Sequence, residues 1–250
     1  MKFKKALFAV ILGAFAVLAN ASTLKPGVLT VATEGTYAPF SYYNDKNELV
    51  GYDVDIAKAV AKKLNLKIEF LTAPWDAMLA AFDAGKADVV FNQVSINEDR
   101  KKKYDMSVPY TMPYPVIVVH KDNNDIKSFA DLKGKKSVHS ATSNWAAIAE
   151  KNGATVVVAD GFSKGVELII SKRDDDTIND NVTFFDYIKQ RPNAPLKIAY
   201  TSNEPMPTAA LLKKGNTELL EAINKALDEL KAEGKISEIS MKYFGKDISK

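Results

Sequence analysis

An arginine, several hydroxyl residues and an aspartate stand where strand-like runs of the chain end. After Ala87 to Phe91 come Asn92, Gln93, Val94 and Ser95, with Arg100 five residues beyond Ser95. After Lys136 to Val138 come Ser140, Thr142 and Ser143, and after Thr177 to Asn179 comes Asp180. The fork of a guanidinium can hold a carboxylate through two parallel hydrogen bonds, a geometry that Lys does not reproduce. Thr142 and Ser143 open a helix-like segment, where free backbone N–H groups also favour an anion. No catalytic constellation accompanies these groups. His120 and His139 lie far from any metal-binding pair and read as structural strand residues. The acidic run Asp174 to Asp180 lacks the glycine and the final Glu of a calcium loop, Phe185 standing where that Glu would be. There is no phosphate-cradling glycine loop and no nucleophile elbow, so neither a metal nor any other cofactor is expected.

The elements that must position these groups alternate. Val28 to Thr33 reads as a strand that runs into a loop rich in aromatics, Tyr37, Phe40, Tyr42 and Tyr43. Ala57, Val60, Ala61 and Leu64 recur at helical spacing, Ile68 and Phe70 at strand spacing, and a short helix around Ala77 to Ala84 precedes the strand Ala87 to Phe91. This β-α-β-α-β order predicts an α/β sheet with parallel strands. The pattern restarts after Tyr114 with strands at Pro115 to His120, Lys136 to His139, Val156 to Val158 and Thr177 to Asn179, and helices at Ser143 to Lys151 and Ser163 to Ser171. The final strand, Thr208 to Leu212, and the helix carrying Leu219, Ile223, Leu227 and Leu230 have no sheet of their own to cover. They are expected to return to the first unit. The reading is thus two lobes, residues 22–113 with 208–250 and residues 114–207, joined by two crossing segments near Pro113 and Pro205. The cleft lies between the lobes at the strand ends, where ligands sit in open α/β sheets.

The 250 residues are 46% hydrophobic and 26% charged, an ordinary globular composition that excludes disorder, collagen and coiled coil. The formal net charge of +3 sits entirely in Lys2, Lys4 and Lys5. These precede an apolar run from Ala6 to Leu18 and the small-x-small site Ala19-Asn20-Ala21, the signature of a secretory leader cleaved after Ala21. Without the leader, 31 basic residues face 31 acidic ones, and nucleic acid and anionic membranes lose their electrostatic argument. Cysteine is absent, so neither disulfides nor a lipidated cysteine is available. The expectation is a soluble periplasmic monomer held together by core burial.

Longer stretches carry a resemblance. Gly51-Tyr52-Asp53-Val54-Asp55-Ile56-Ala57-Lys58-Ala59-Val60, Trp75-Asp76, Gly85-Lys86-Ala87-Asp88, Ser95 to Arg100 and Ser107-Val108-Pro109-Tyr110 resemble the polar amino-acid-binding proteins of ABC importers, the family 3 solute receptors. Within that family, Glu34-Gly35-Thr36-Tyr37, Asn92-Gln93-Val94 and Arg100 to Asp105 are most similar to the cystine-binding receptors. The resemblance implies a two-lobed periplasmic-binding-protein fold of type II and an inner-membrane ABC permease as partner. It implies that Arg100, aided by Ser95, Thr142 and Ser143, grips the ligand carboxylate, that Asp180 takes the ammonium, and that Tyr37 and Trp75 cover the side chain. Asn92, Gln93 and Glu34 are expected to line the pocket, with the two amides as donors to the distal carboxylate of cystine. Cystine is the expected ligand and lysine or arginine the alternative. The dehydratases that act on cyclohexadienyl acids look similar too, which leaves an enzyme as the competing class.

Overall fold

The computed structural model describes residues 22–250; the leader and its cleavage site lie outside the described residues. One sheet has the order β5-β1-β6-β13-β7, built from β1 (Val28–Thr33), β5 (Lys67–Thr72), β6 (Val89–Ser95), β7 (Tyr104–Met106) and β13 (Thr208–Lys213). Alternate residues of its central strands face opposite layers, as a period of two requires. Leu29, Val31, Val89, Phe91, Ala210 and Leu212 pack toward α1 (Tyr52–Lys63), α7 (Thr217–Ala232) and α8 (Lys235–Phe244). Ala32, Val90, Val94 and Leu211 pack toward α2 (Trp75–Asp83). A small antiparallel sheet of β2 (Thr36–Tyr37), β3 (Ser41–Tyr43) and β4 (Leu49–Val50) carries the aromatic loop.

The second sheet has the order β10-β9-β11-β8-β12, from β8 (Pro115–His120), β9 (Lys136–His139), β10 (Thr155–Val158), β11 (Asp176–Asp180) and β12 (Leu196–Thr201). Val116, Val118 and Val138 face α5 (Gly161–Ile170) and α6 (Asn181–Gln190). Ile117, Val119 and Ile178 face α4 (Asn144–Lys151). Neither sheet is wholly parallel. In the first, β13 and β7 run antiparallel to their neighbours, and in the second β8 and β12 do. A chain that crosses between lobes enters each sheet without a helical crossover, so it is free of the constraint that makes βαβ strands parallel.

Two differences from the sequence reading bear on the cleft. The strand expected to end at Phe91 continues to Ser95, so Asn92, Gln93 and Ser95 are buried strand residues rather than loop residues. Gln93 has φ 48°, and opposite it the register with β13 shifts between Ala209 and Leu211. This bulge re-aims the end of the strand. The helix α6, unmarked in the sequence reading, begins directly after Asp180, whose carboxylate accepts the Thr183 N–H at 2.7 Å and caps it.

The crossing segments are hydrogen-bonded to each other. Thr208 N–H donates to Thr111 O at 3.0 Å, Tyr110 N–H to Thr208 O at 3.1 Å and Met206 N–H to Pro113 O at 2.7 Å. Beneath them, Gln93 Nε2 donates to Asp53 Oδ1 at 2.7 Å and to Thr111 Oγ1 at 3.2 Å, and Gln93 Oε1 accepts from Thr208 Oγ1 at 3.1 Å. At the start of α1, Gly51 adopts φ 133° so closely under the preceding loop that a Cβ there would lie 2.2 Å from Phe40 O.

Candidate ligand-binding site

Between the two sheets lies a cavity of about 60 Å³. Glu34, Tyr37, Trp75, Asn92 and Gln93 line it from the first lobe; His139, Ser143, Trp145, Phe162 and Asn179 are among those lining it from the second. An outer cavity of about 380 Å³ shares Glu34, Tyr37, Gly161 and Phe162 with it and continues toward Arg191.

Arg100 sits on the short helix α3 (Glu98–Lys103), whose N-cap Asn97 accepts the Arg100 N–H at 2.9 Å. Its guanidinium lies over Trp75, 5.3 Å from the ring centroid, and Nη1 donates to Ser95 O at 3.0 Å. Among the described residues no carboxylate lies within ion-pair distance of it. Burial lowers its pKa to about 10, so it remains charged at neutral pH with donors still unused. Trp75 Nε1 beneath it is buried without a partner.

Across the cleft, Asp180 is 3% exposed and burial raises its pKa. Its Oδ2 accepts from Tyr37 OH and from Thr183 Oγ1, both at 2.8 Å. With the Thr183 N–H this uses three of about four acceptor sites on a carboxylate. Because Tyr37 belongs to the first lobe, its hydroxyl bonds to Asp180 and to Asn179 Oδ1, at 2.9 Å, cross the cleft. A second crossing is made by Asp76, which accepts from the N–H groups of Ala141 and Thr142 at 3.0 and 2.9 Å and from Thr142 Oγ1 at 2.6 Å. Thr142 therefore meets Asp76 at the rim rather than lining the inner cavity. Ser143 lines the cavity while its Oγ caps α4 through Trp145 N–H at 3.1 Å.

Glu34 and Asn92 form a pair inside the cavity. Asn92 Nδ2 donates to Glu34 Oε2 at 2.7 Å, and Asn92 Oδ1 accepts from Glu34 N–H at 2.8 Å. Burial, aided by the negative charge of Asp76 and Asp160, pushes Glu34 up to about 7. The Gln93 side chain is spent on Asp53, Thr111 and Thr208, so at the cavity it offers no free amide donor. Sequence reasoning did not single out His139, Trp145 or Phe162 as cavity residues. For His139 a signal was present: it ends a strand directly before the Ser140 to Ser143 loop that was singled out.

Arg100, Ser95 and Asp180 do not themselves line the cavity. Two sheets closed on a polar cavity that holds the Glu34 carboxyl, with the unpaired Arg100 guanidinium stacked on its lining residue Trp75 and Asp180 bonded to its lining residue Tyr37, define a two-lobed receptor for a small polar solute. The comparisons agree. Residues 29–246 match the bacterial extracellular solute-binding proteins, family 3, and the chain belongs to that family. The L-cystine-binding protein TcyA of Bacillus subtilis is 46% identical over 231 residues, 92% of this chain and 86% of that protein. An ancestral arginine-binding protein bound to arginine superposes with a TM-score of 0.81 at 42% identity, over 88% of this chain and 99% of that one. The L-cystine solute receptor of Neisseria gonorrhoeae in its unliganded open conformation, also 42% identical, superposes with a TM-score of 0.60 over 93% and 97% of the two chains. At equal identity the better match is the ligand-bound protein, in keeping with the cross-cleft bonds: the lobes stand closed.

Asp76→Ala removes three cross-cleft bonds while touching nothing inside the inner cavity. The free protein should then open, with a larger radius of gyration by X-ray scattering, and ligand should bind more weakly because closure must be supplied by the ligand alone. An unchanged radius and affinity would show that Asp76 does not hold the lobes together.

Proposed function

We propose that this chain is the periplasmic receptor of an amino-acid ABC importer, which closes over a polar amino acid, cystine first, and presents it to the membrane permease without altering it. The observation that carries this reading is the half-buried Arg100 with no carboxylate of its own. A desolvated guanidinium is costly unless an anion meets it, and an α-carboxylate fits its fork. Ser95 lies at the same strand end. Asp180 retains an acceptor site for the α-ammonium, and Tyr37 and Trp75 wall the side chain.

Glu34 is the acceptor for a charged group at the far end of the ligand. That suits the distal ammonium of cystine, and the relative named for L-cystine binding supports cystine. A basic amino acid is the second reading, favoured by one observation: the amides of Asn92 and Gln93 are already engaged, which leaves the distal carboxylate of cystine without the donors expected for it.

Calorimetry of refolded, ligand-stripped protein with cystine, arginine, lysine and glutamine decides between them. Cystine should bind tightest, Glu34→Gln should weaken it, and incubation with prephenate should yield no phenylpyruvate. If arginine or lysine binds more tightly than cystine and Glu34→Gln abolishes that binding, the receptor is one for basic amino acids. Turnover of prephenate would make it an enzyme.

A further inference from the structure

His139 ends β9 and is 6% exposed, and that small surface lines the inner cavity together with Glu34. Its Nε2 lies 2.8 Å from Ser137 Oγ, two residues earlier on the same face of the strand. Ser137 is fully buried and its Oγ lies 2.5 Å from Asp176 Oδ1, on the neighbouring strand in register with it. The three side chains thus form one file from the interior of the second lobe to the cavity.

The file has a direction. Burial lifts Asp176 to about 7; above that pH its ionised carboxylate only accepts, so it takes the single proton of Ser137 Oγ. That hydroxyl can then only accept from the imidazole, which places the imidazole proton on Nε2. Burial depresses the His139 pKa to about 3, so the ring stays neutral. Its second nitrogen, Nδ1, is left as a bare acceptor. It has no partner in the protein and is not sealed in the interior.

We propose that His139 is a specificity-determining residue whose Nδ1, held as an acceptor by the Asp176–Ser137 file, receives an N–H from the far end of the ligand side chain opposite Glu34. The ligand class this selects is an amino acid whose side chain ends in an ammonium or guanidinium. Cystine, lysine and arginine qualify, and glutamine donates only through a neutral amide. The inference rests on the amino-acid reading above and sharpens it, since it asks for a donor at the distal end whichever of the two readings holds. Asp176 and Ser137 are positioning residues: Ser137 touches His139 and Asp176 acts through Ser137, neither reaching the ligand.

The test uses the whole protein labelled with ¹⁵N-histidine, which gives signals from His120 and His139 only. It is run at pH 8, above the value of about 7 to which burial lifts Asp176. His139 should show the Nε2–H tautomer, and its unprotonated Nδ1 resonance should move on saturation with cystine or arginine. Ser137→Ala should convert the single tautomer to a mixture. His139→Leu should weaken binding of the preferred ligand by roughly tenfold or more, the worth of a hydrogen bond to a charged group, and His139→Asn, which keeps an acceptor near the same position, should restore part of it. An Nδ1–H tautomer, or a resonance indifferent to a ligand that calorimetry shows to bind, overturns this inference and leaves the amino-acid reading intact. Binding of no amino acid at all overturns both.

Discussion

Arg100→Ala should lose amino-acid binding while the protein keeps its fold. The guanidinium is a half-buried charge whose observed contacts are the Trp75 face and the Ser95 carbonyl, and neither neutralises it. Removing one partner of a desolvated charge pair typically costs about 2–5 kcal/mol in binding, or roughly 30-fold or more. The fold has little stake in the residue. Arg100 lies on a six-residue helix with no buried side chain, and removing an uncompensated charge relieves the free protein. Calorimetry should therefore show an affinity fall with an unfolding temperature of the ligand-free form that is unchanged or slightly raised. Arg100→Lys separates charge from shape: it keeps the charge and loses the fork, so it should bind between the two. Wild-type affinity in Arg100→Ala would place the carboxylate elsewhere and remove the main support for an amino-acid ligand.

Gly51→Ala should damage the fold instead of the affinity. The added Cβ would meet Phe40 O at 2.2 Å, Phe40 C at 2.5 Å and Ser41 N at 2.9 Å, all backbone atoms, with φ at 133°. None of them can swing aside as a flexible side-chain end could. The contact is also where α1 is anchored, since Tyr52 N–H donates to Pro39 O and Asp53 N–H to Phe40 O at 3.0 and 2.9 Å. Overpacking and a strained backbone each cost about 1–3 kcal/mol. A loss of about 3 kcal/mol lowers the unfolding temperature of a domain of this size by roughly 6–12 °C. Gly215→Ala is the control: φ is 92° there but nothing lies within 4 Å, so only the backbone strain remains. Equal effects at the two positions would show that contact with the Phe40 backbone does not matter.

The parts of the fold with a strong period were legible before the structure. The apolar spacing of Ala57, Val60, Ala61 and Leu64 gave α1, and the unbroken apolar run Val116 to Val119 gave a strand, which the structure covers on both faces. What stayed hidden depends on contacts distant in sequence. Gln93 could not be read as a spent amide, because Asp53, Thr111 and Thr208 reach it from three other segments. Asp76 offered no sign that it would accept backbone bonds from the opposite lobe. The helix after Asp180 was obscured because an acidic run reads locally as a turn, although an Asp three residues before Thr183 is also an N-cap signal. At the site, charge types were legible and partners were not. Arg100 and Asp180 belong to different lobes and could be picked out as single residues, whereas the engagement of Asn92 with Glu34 required the folded cavity.

The chain contains two tryptophans, and both line the inner cavity, Trp75 from one lobe and Trp145 from the other. Every indole in the molecule thus lies at the surface where solvent is expelled when the lobes meet. Intrinsic fluorescence should consequently carry almost no background from the rest of the protein. The emission wavelength follows the wetting and drying of the cleft, so the rates of opening and closing are readable by stopped flow on the unlabelled wild-type chain.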